Sequence, residues 1–137
     1  MASRALWNAG VAATFALTLA ACGGSDSTPT APSGGDSGGG TGTIAATITI
    51  TSSGVSPKTV TVPPGSRVTF VNNDSRNHEM NSDPHPTHGD CPGINQVGFL
   101  TPNQSRTSGN LNTVRTCGFH DHLLDTNTSL QGTIIVQ

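Results

Sequence analysis

From Ile44 onward, apolar side chains recur at every second position. Ile44, Ala46, Ile48 and Ile50 alternate with Thr47, Thr49 and Thr51, the period-two pattern of a strand with one buried face. Thr59-Val60-Thr61-Val62 repeats the pattern and stops at Pro63-Pro64-Gly65, and Arg67-Val68-Thr69-Phe70-Val71 then runs into the turn-forming Asn72-Asn73-Asp74. The chain closes on Gly132-Thr133-Ile134-Ile135-Val136, which reads as a buried final strand. β-Branched residues fill most of these positions, as a pleated surface prefers. No segment carries apolar residues at helical spacing over three turns. Short strands separated by Gly, Pro and Asn turns predict an all-β sandwich. Between Met80 and Gly98 the alternation stops in favour of a polar, proline-punctuated connection that carries His85, His88 and Cys91. Long connections of this kind are usually functional when ordered.

The first residues follow a different pattern. Arg4 precedes an apolar, small-residue run from Leu6 to Ala21, too short for a spanning helix, which needs about 20 apolar residues, and of the form of an export signal. The run ends in Leu19-Ala20-Ala21-Cys22, which resembles the box of bacterial lipoproteins. That resemblance implies cleavage after residue 21, acylation of the Cys22 sulfur and a lipid anchor on the periplasmic face of a bacterial membrane. Gly23 stands where Asp would favour inner-membrane retention, so the outer membrane is favoured. From Gly23 to Thr43 the chain is Gly, Ser, Thr, Pro and Asp with Ala31 as the one apolar side chain. Such a segment buries too little apolar surface to offset its ordering entropy, and it predicts a tether with a reach of about 25 Å. The expected organisation is a signal at 1–21, lipidated Cys22 and tether at 22–43, and one monomeric domain at 44–137.

Charge and aromatic content narrow the partners. Within 44–137, Lys58, Arg67, Arg76, Arg106 and Arg115 face Asp74, Glu79, Asp83, Asp90, Asp121 and Asp125, a net charge of −1 with histidine neutral. No basic cluster is present, which argues against nucleic acid or anionic lipid as partners of the domain. Tyr is absent and the single Trp lies in the signal, so the domain has no aromatic stacking platform. No G-x-S-x-G elbow appears, and no Gly-rich phosphate loop precedes a helix. The domain is therefore not expected to be an enzyme.

The chemistry lies in five histidines, at 78, 85, 88, 120 and 122, and in Cys117. Thiolate and imidazole donors select copper or zinc, whereas calcium and magnesium take oxygen ligands. Ser56-Pro57 before Thr59-Val60-Thr61-Val62, then Pro64-Gly65-Ser66-Arg67-Val68-Thr69-Phe70-Val71-Asn72, Pro102-Asn103-Gln104-Ser105, Cys117-x-x-His120 and the closing 132–136 strand together resemble the cupredoxins, the plastocyanin and azurin group. In the turn, Asn103 replaces the usual Gly. The resemblance covers nearly all of 44–137 and implies a Greek-key β-sandwich that binds copper and passes single electrons to a redox partner protein.

Carried onto this chain, the family pattern makes His78, Cys117 and His120 the trigonal ligand set of a blue-copper site. The axial methionine of that pattern is missing, since Leu123, Leu124 and Asp125 stand where it is expected. His122 is an extra imidazole that either replaces His120 or adds a fourth ligand, and Met80, His85 and His88 are weaker candidates. Asp121 and Glu79 are candidates to orient imidazole N–H groups. Cys91 opens a second course. With Cys22 lipidated, Cys91 and Cys117 are the two remaining cysteines of an exported domain, and such a pair is most often a disulfide. That bridge would withdraw the thiolate and leave a histidine-based site in a copper-handling or buffering module, serving a copper donor or acceptor in the envelope. A third course is a copper enzyme resembling the Cu/Zn superoxide dismutases, which share a β-sandwich, His-x-His pairs and a disulfide; the first-half pattern and the short chain count against it.

Overall fold

The computed structural model describes residues 41–137, which lie within one compact unit. The proposed signal, Cys22 and nearly all of the tether fall outside the described residues. Nine strands form two sheets: β1 (Ile44–Thr51), β2 (Gly54–Ser56), β3 (Thr59–Val62), β4 (Arg67–Asn72), β5 (His78–Ser82), β6 (Gly98–Leu100), β7 (Ser105–Thr107), β8 (Arg115–Asp121) and β9 (Gly132–Val136). One sheet has the order β2-β1-β4-β7 and the other β3-β9-β8-β5-β6. β1 runs parallel to β4 and β3 parallel to β9, while the other pairs are antiparallel. Helical structure among the described residues is limited to three single 3-10 turns at Ile94–Gln96, His122–Leu124 and Thr128–Leu130. The described residues form the all-β sandwich that the alternating pattern predicts, in the Greek-key arrangement that the resemblance implies.

The four strands read from the sequence are β1, β3 and β4, from apolar alternation, and β9, from its apolar run. Their inward residues Ile48, Ile50, Val62, Val68, Phe70, Ile134 and Val136 are buried. Phe70 of one sheet meets Phe119 of the other edge to face, with ring centroids 5.2 Å apart, the geometry that aromatic quadrupoles favour. Asn103 has φ 64°, a left-handed backbone that Asn tolerates better than most residues, which explains how it serves in place of glycine there.

Two parts of the fold depart from the sequence reading. The 80–98 segment is not wholly a polar connection: Met80, Asn81 and Ser82 belong to β5, and Ile94 and Val97 are fully buried in the core. β8, which no apolar alternation marks in the sequence, runs from Arg115 through Cys117 and His120 to Asp121. Both strands are poor in apolar alternation, and each is held by the neighbour that supplies its backbone partners. β5 and β8 pair with the register Met80 to Asp121, Asn81 to His120 and Ser82 to Phe119.

That register sorts the side chains, because successive residues of a strand point to opposite faces. His78, Met80 and Ser82 of β5 share the inner face with Cys117, Phe119 and Asp121 of β8. Asn81 and His120 lie on the outer face, beneath the connection that follows β5.

Candidate metal centre

Two segments supply four imidazoles to the outer face. β8 carries His120, which is 2% exposed, and delivers His122 at the start of its 3-10 turn. The connection after β5 brings His85 and His88 over them. One ligating nitrogen from each of these four rings lies within 4.8 Å of all the others. An ion with metal–nitrogen bonds of about 2.0–2.1 Å in a tetrahedral set needs nitrogens about 3.3 Å apart. His88 Nε2 and His122 Nδ1, at 3.1 Å, already meet that spacing. The rest of the cluster needs to close by about 1.5 Å at most, and His85, whose Nε2 lies 3.6 Å from Asp125 Oδ2, is the most exposed of the four rings at 39%.

The rings are oriented from behind. His120 Nδ1–H donates to Asp83 Oδ1 at 2.7 Å, while its Nε2 is buried without a hydrogen-bond partner. His88 Nδ1–H donates to the Ser82 carbonyl at 2.9 Å, which leaves Nε2 with its lone pair. A second-ring hydrogen bond of this kind fixes tautomer and ring angle in metal-binding histidines. His88 has φ 51°, a backbone uncommon outside glycine but visited by histidine more than by most residues. Its carbonyl is braced by donors from Ser82 Oγ and Asn95 Nδ2 at 2.9 and 2.8 Å. Asp83 reaches His120 because the Asp83 N–H donates to the Gly118 carbonyl at 3.0 Å, setting the carboxylate over Gly118. A Cβ on Gly118 would collide with Asp83 Oδ2, so only glycine leaves room for that brace.

The ligand set implied by the blue-copper resemblance is not brought together. Cys117 is bonded to Cys91, with Cα atoms 5.8 Å apart, so its sulfur is a disulfide sulfur and not a thiolate. His78 is fully buried on the inner face, with Nδ1 2.7 Å from Asp121 Oδ2 and Nε2 3.3 Å from Asp74 Oδ2. Both of its nitrogens are spoken for, and it is not part of the four-imidazole cluster. Met80 is fully buried among core side chains. The physical reason is strand parity. His78 and Cys117 point inward and His120 outward, so a set made of all three would straddle the sheet. His120 and His122 do meet, joined by the two weaker candidates His85 and His88.

Asp121 orients a histidine, as expected, but that histidine is His78. The brace on His120 is Asp83, which no sequence pattern singles out; it emerges from the pairing of β5 with β8. Asp74 carries a clear electrostatic signature. Burial pushes its carboxyl up, but the Arg76 guanidinium at 3.0 and 3.1 Å, the Ser75 N–H and His78 outweigh this and hold it below its ordinary 3.8.

No protein-family model matches the chain, nor does any curated protein. Among solved structures it is similar to a purple cupredoxin from Nitrosopumilus maritimus, with TM-score 0.53, 18% identity, and 68% of this chain and 100% of that one covered. It is also similar to a mutant fern plastocyanin (TM-score 0.53, 17% identity, 66% and 99% covered). The reduced state of an amicyanin mutant gives TM-score 0.52 at 14% identity, over 70% and 83% of the two chains. Another amicyanin mutant was solved with Cu(I). Identity this low shows the fold: the domain is a cupredoxin-fold β-sandwich. Among the described residues it carries a cluster of four imidazoles and a Cys91–Cys117 disulfide.

Proposed function

We propose that this chain is a copper-binding protein that holds the ion through His85, His88, His120 and His122 and hands it between a donor and an acceptor in the cell envelope. The observation that carries the reading is the buried, unpartnered His120 Nε2 aimed at three other imidazoles, with its far nitrogen tied to Asp83. Imidazole suits copper, zinc, nickel and iron, and among divalent ions the affinity order peaks at Cu(II). Four neutral nitrogen donors supply a site that accepts copper in either oxidation state. Asp83 makes His120 the more basic ligand by accepting its Nδ1 proton. The Ser82 carbonyl does the same for His88. His85, on the open side, is the ring that admits and releases the ion.

A single-electron carrier working with a redox partner is the second reading, favoured by the fold it shares with plastocyanin and amicyanin. It would now run through an all-imidazole site, since Cys117 is withdrawn. The Leu-Ala-Ala-Cys sequence supports an anchor on Cys22 that keeps the domain at the periplasmic face of a membrane, with the outer membrane favoured.

The test is one equivalent of Cu(II) added to the purified full chain, followed by visible absorption and electron paramagnetic resonance. The expected result is a one-to-one complex with weak d–d absorption and nitrogen hyperfine structure, lost in His120→Ala. An intense thiolate-to-copper band that vanishes in Cys117→Ser would overturn the four-imidazole assignment, as would failure to bind copper.

A further inference from the structure

His78 occupies the position of the first copper ligand in the family pattern, yet it faces away from the four imidazoles. Around it runs a chain of polar contacts, buried except for the half-exposed Arg76. Arg76 donates to Asp74 Oδ2 at 3.0 and 3.1 Å, and His78 bridges that carboxylate to Asp121 Oδ2. The side chains of His78 and Asp121 are fully buried and that of Asp74 is 2% exposed. Polar groups withdrawn from water to this degree are costly unless every member is satisfied, and here each has partners on both sides.

Asp121 links this network to the outer face. It sits between His120 and His122, and its other oxygen, Oδ1, accepts from the backbone N–H of Glu79 at 3.0 Å and of Leu123 at 3.1 Å. The Leu123 contact caps the 3-10 turn that begins at His122, in the manner of an N-cap aspartate. The capped turn presents the His122 ring to His88 Nε2. An inner-face residue thereby sets the direction of an outer-face ligand through one carboxylate: His78 fixes Asp121, and Asp121 fixes the turn.

We infer that His78 is a positioning residue for the metal site and not a ligand of it. It holds Asp121 in the rotamer that caps the His122 turn, and so sets the His88–His122 spacing before any ion arrives. The inference rests on the four-imidazole reading for its consequence in metal binding, but the positioning itself is a property of the metal-free protein.

The experiment compares the full wild-type chain with His78→Asn, which keeps a donor toward Asp121, with His78→Ala, which does not, and with Asp121→Asn. Imidazole 1H–15N spectra are recorded on the metal-free proteins. Copper affinity is then measured by chelator competition, and pulsed electron paramagnetic resonance counts the coordinated imidazoles. In His78→Ala the His122 and His88 ring signals are expected to shift, the affinity to fall about 10–100-fold, and the count of imidazoles on copper to stay that of wild type. His78→Asn should recover much of both effects. If His78→Ala does not fold, Asp121→Asn is expected to give the same ring shifts and weaker binding, since it alters the same link. Unchanged ring signals and affinity in the folded variants would overturn the inference, and so would loss of one imidazole from copper in His78→Asn. Wild type that fails to bind copper, with ring shifts still seen in the variants, would reject the proposed function and leave the positioning role standing.

Discussion

Replacing Cys91 and Cys117 together by alanine tests how the connection that carries His85 and His88 is kept against β8. The two cysteines are 26 residues apart, and each is at most 5% exposed. In the chain-entropy model, closing a loop of that length removes about 12 cal/mol/K from the unfolded chain, worth about 3.5 kcal/mol at 25 °C. A domain of roughly 100 residues unfolds with an entropy of about 0.2 kcal/mol/K, so the double variant should melt about 17 °C lower than the oxidised wild type. Alanine leaves no buried hydroxyl unpaired, and the small voids it creates can only add to the loss. The assay is thermal unfolding by circular dichroism on metal-free protein, with urea midpoints to check that the slope is unchanged. A fall in Tm under about 5 °C at an unchanged slope would refute the reasoning. It would mean that the contacts among His88, Ser82 and Asn95 already hold the connection in place, with the covalent link adding little.

Gly118→Ala places a methyl group against the Asp83 carboxylate, so Asp83 should be displaced from His120 and copper affinity should fall about 10–100-fold in chelator competition; an unchanged affinity would show that the Asp83 brace is dispensable. Asp74 titrates below its ordinary 3.8 because Arg76, the Ser75 N–H and His78 favour its charged form. A depressed carboxyl contributes stability that is present above the unfolded value and lost as pH falls through the folded one. Asp74→Asn should therefore destabilise the protein at pH 6, and the gap from wild type should narrow below pH 3.8; urea midpoints measured at pH 6 and at pH 3 read both, and a gap that stays constant would contradict the assignment.

How much of this was legible in the sequence depended on where the information resides. β1, β3 and β4 could be read because one-sided burial writes a period-two pattern into the chain, carried plainly by Ile48, Ile50, Val68 and Phe70, and β9 because it is a short apolar, β-branched run. β5 and β8 could not. His-Glu-Met-Asn-Ser and Arg-Thr-Cys-Gly-Phe-His-Asp lack that alternation, because their inner faces hold a buried polar network and a disulfide as well as apolar groups. The candidate site was legible as a list of histidines and a cysteine pair, and the spacing of those residues left thiolate and disulfide equally open.

The sequence by itself determined the sandwich and a set of imidazole donors suited to a transition metal, since these follow from local alternation and from residue type. Which histidines meet was decided only by the tertiary structure. The β5–β8 register sends His78 and Cys117 inward and His120 outward, the Cys91–Cys117 bond removes the thiolate, and the connection through His85 and His88 closes over the outer face. Strand parity is a property of pairing between segments about forty residues apart, and no local pattern in either segment encodes it.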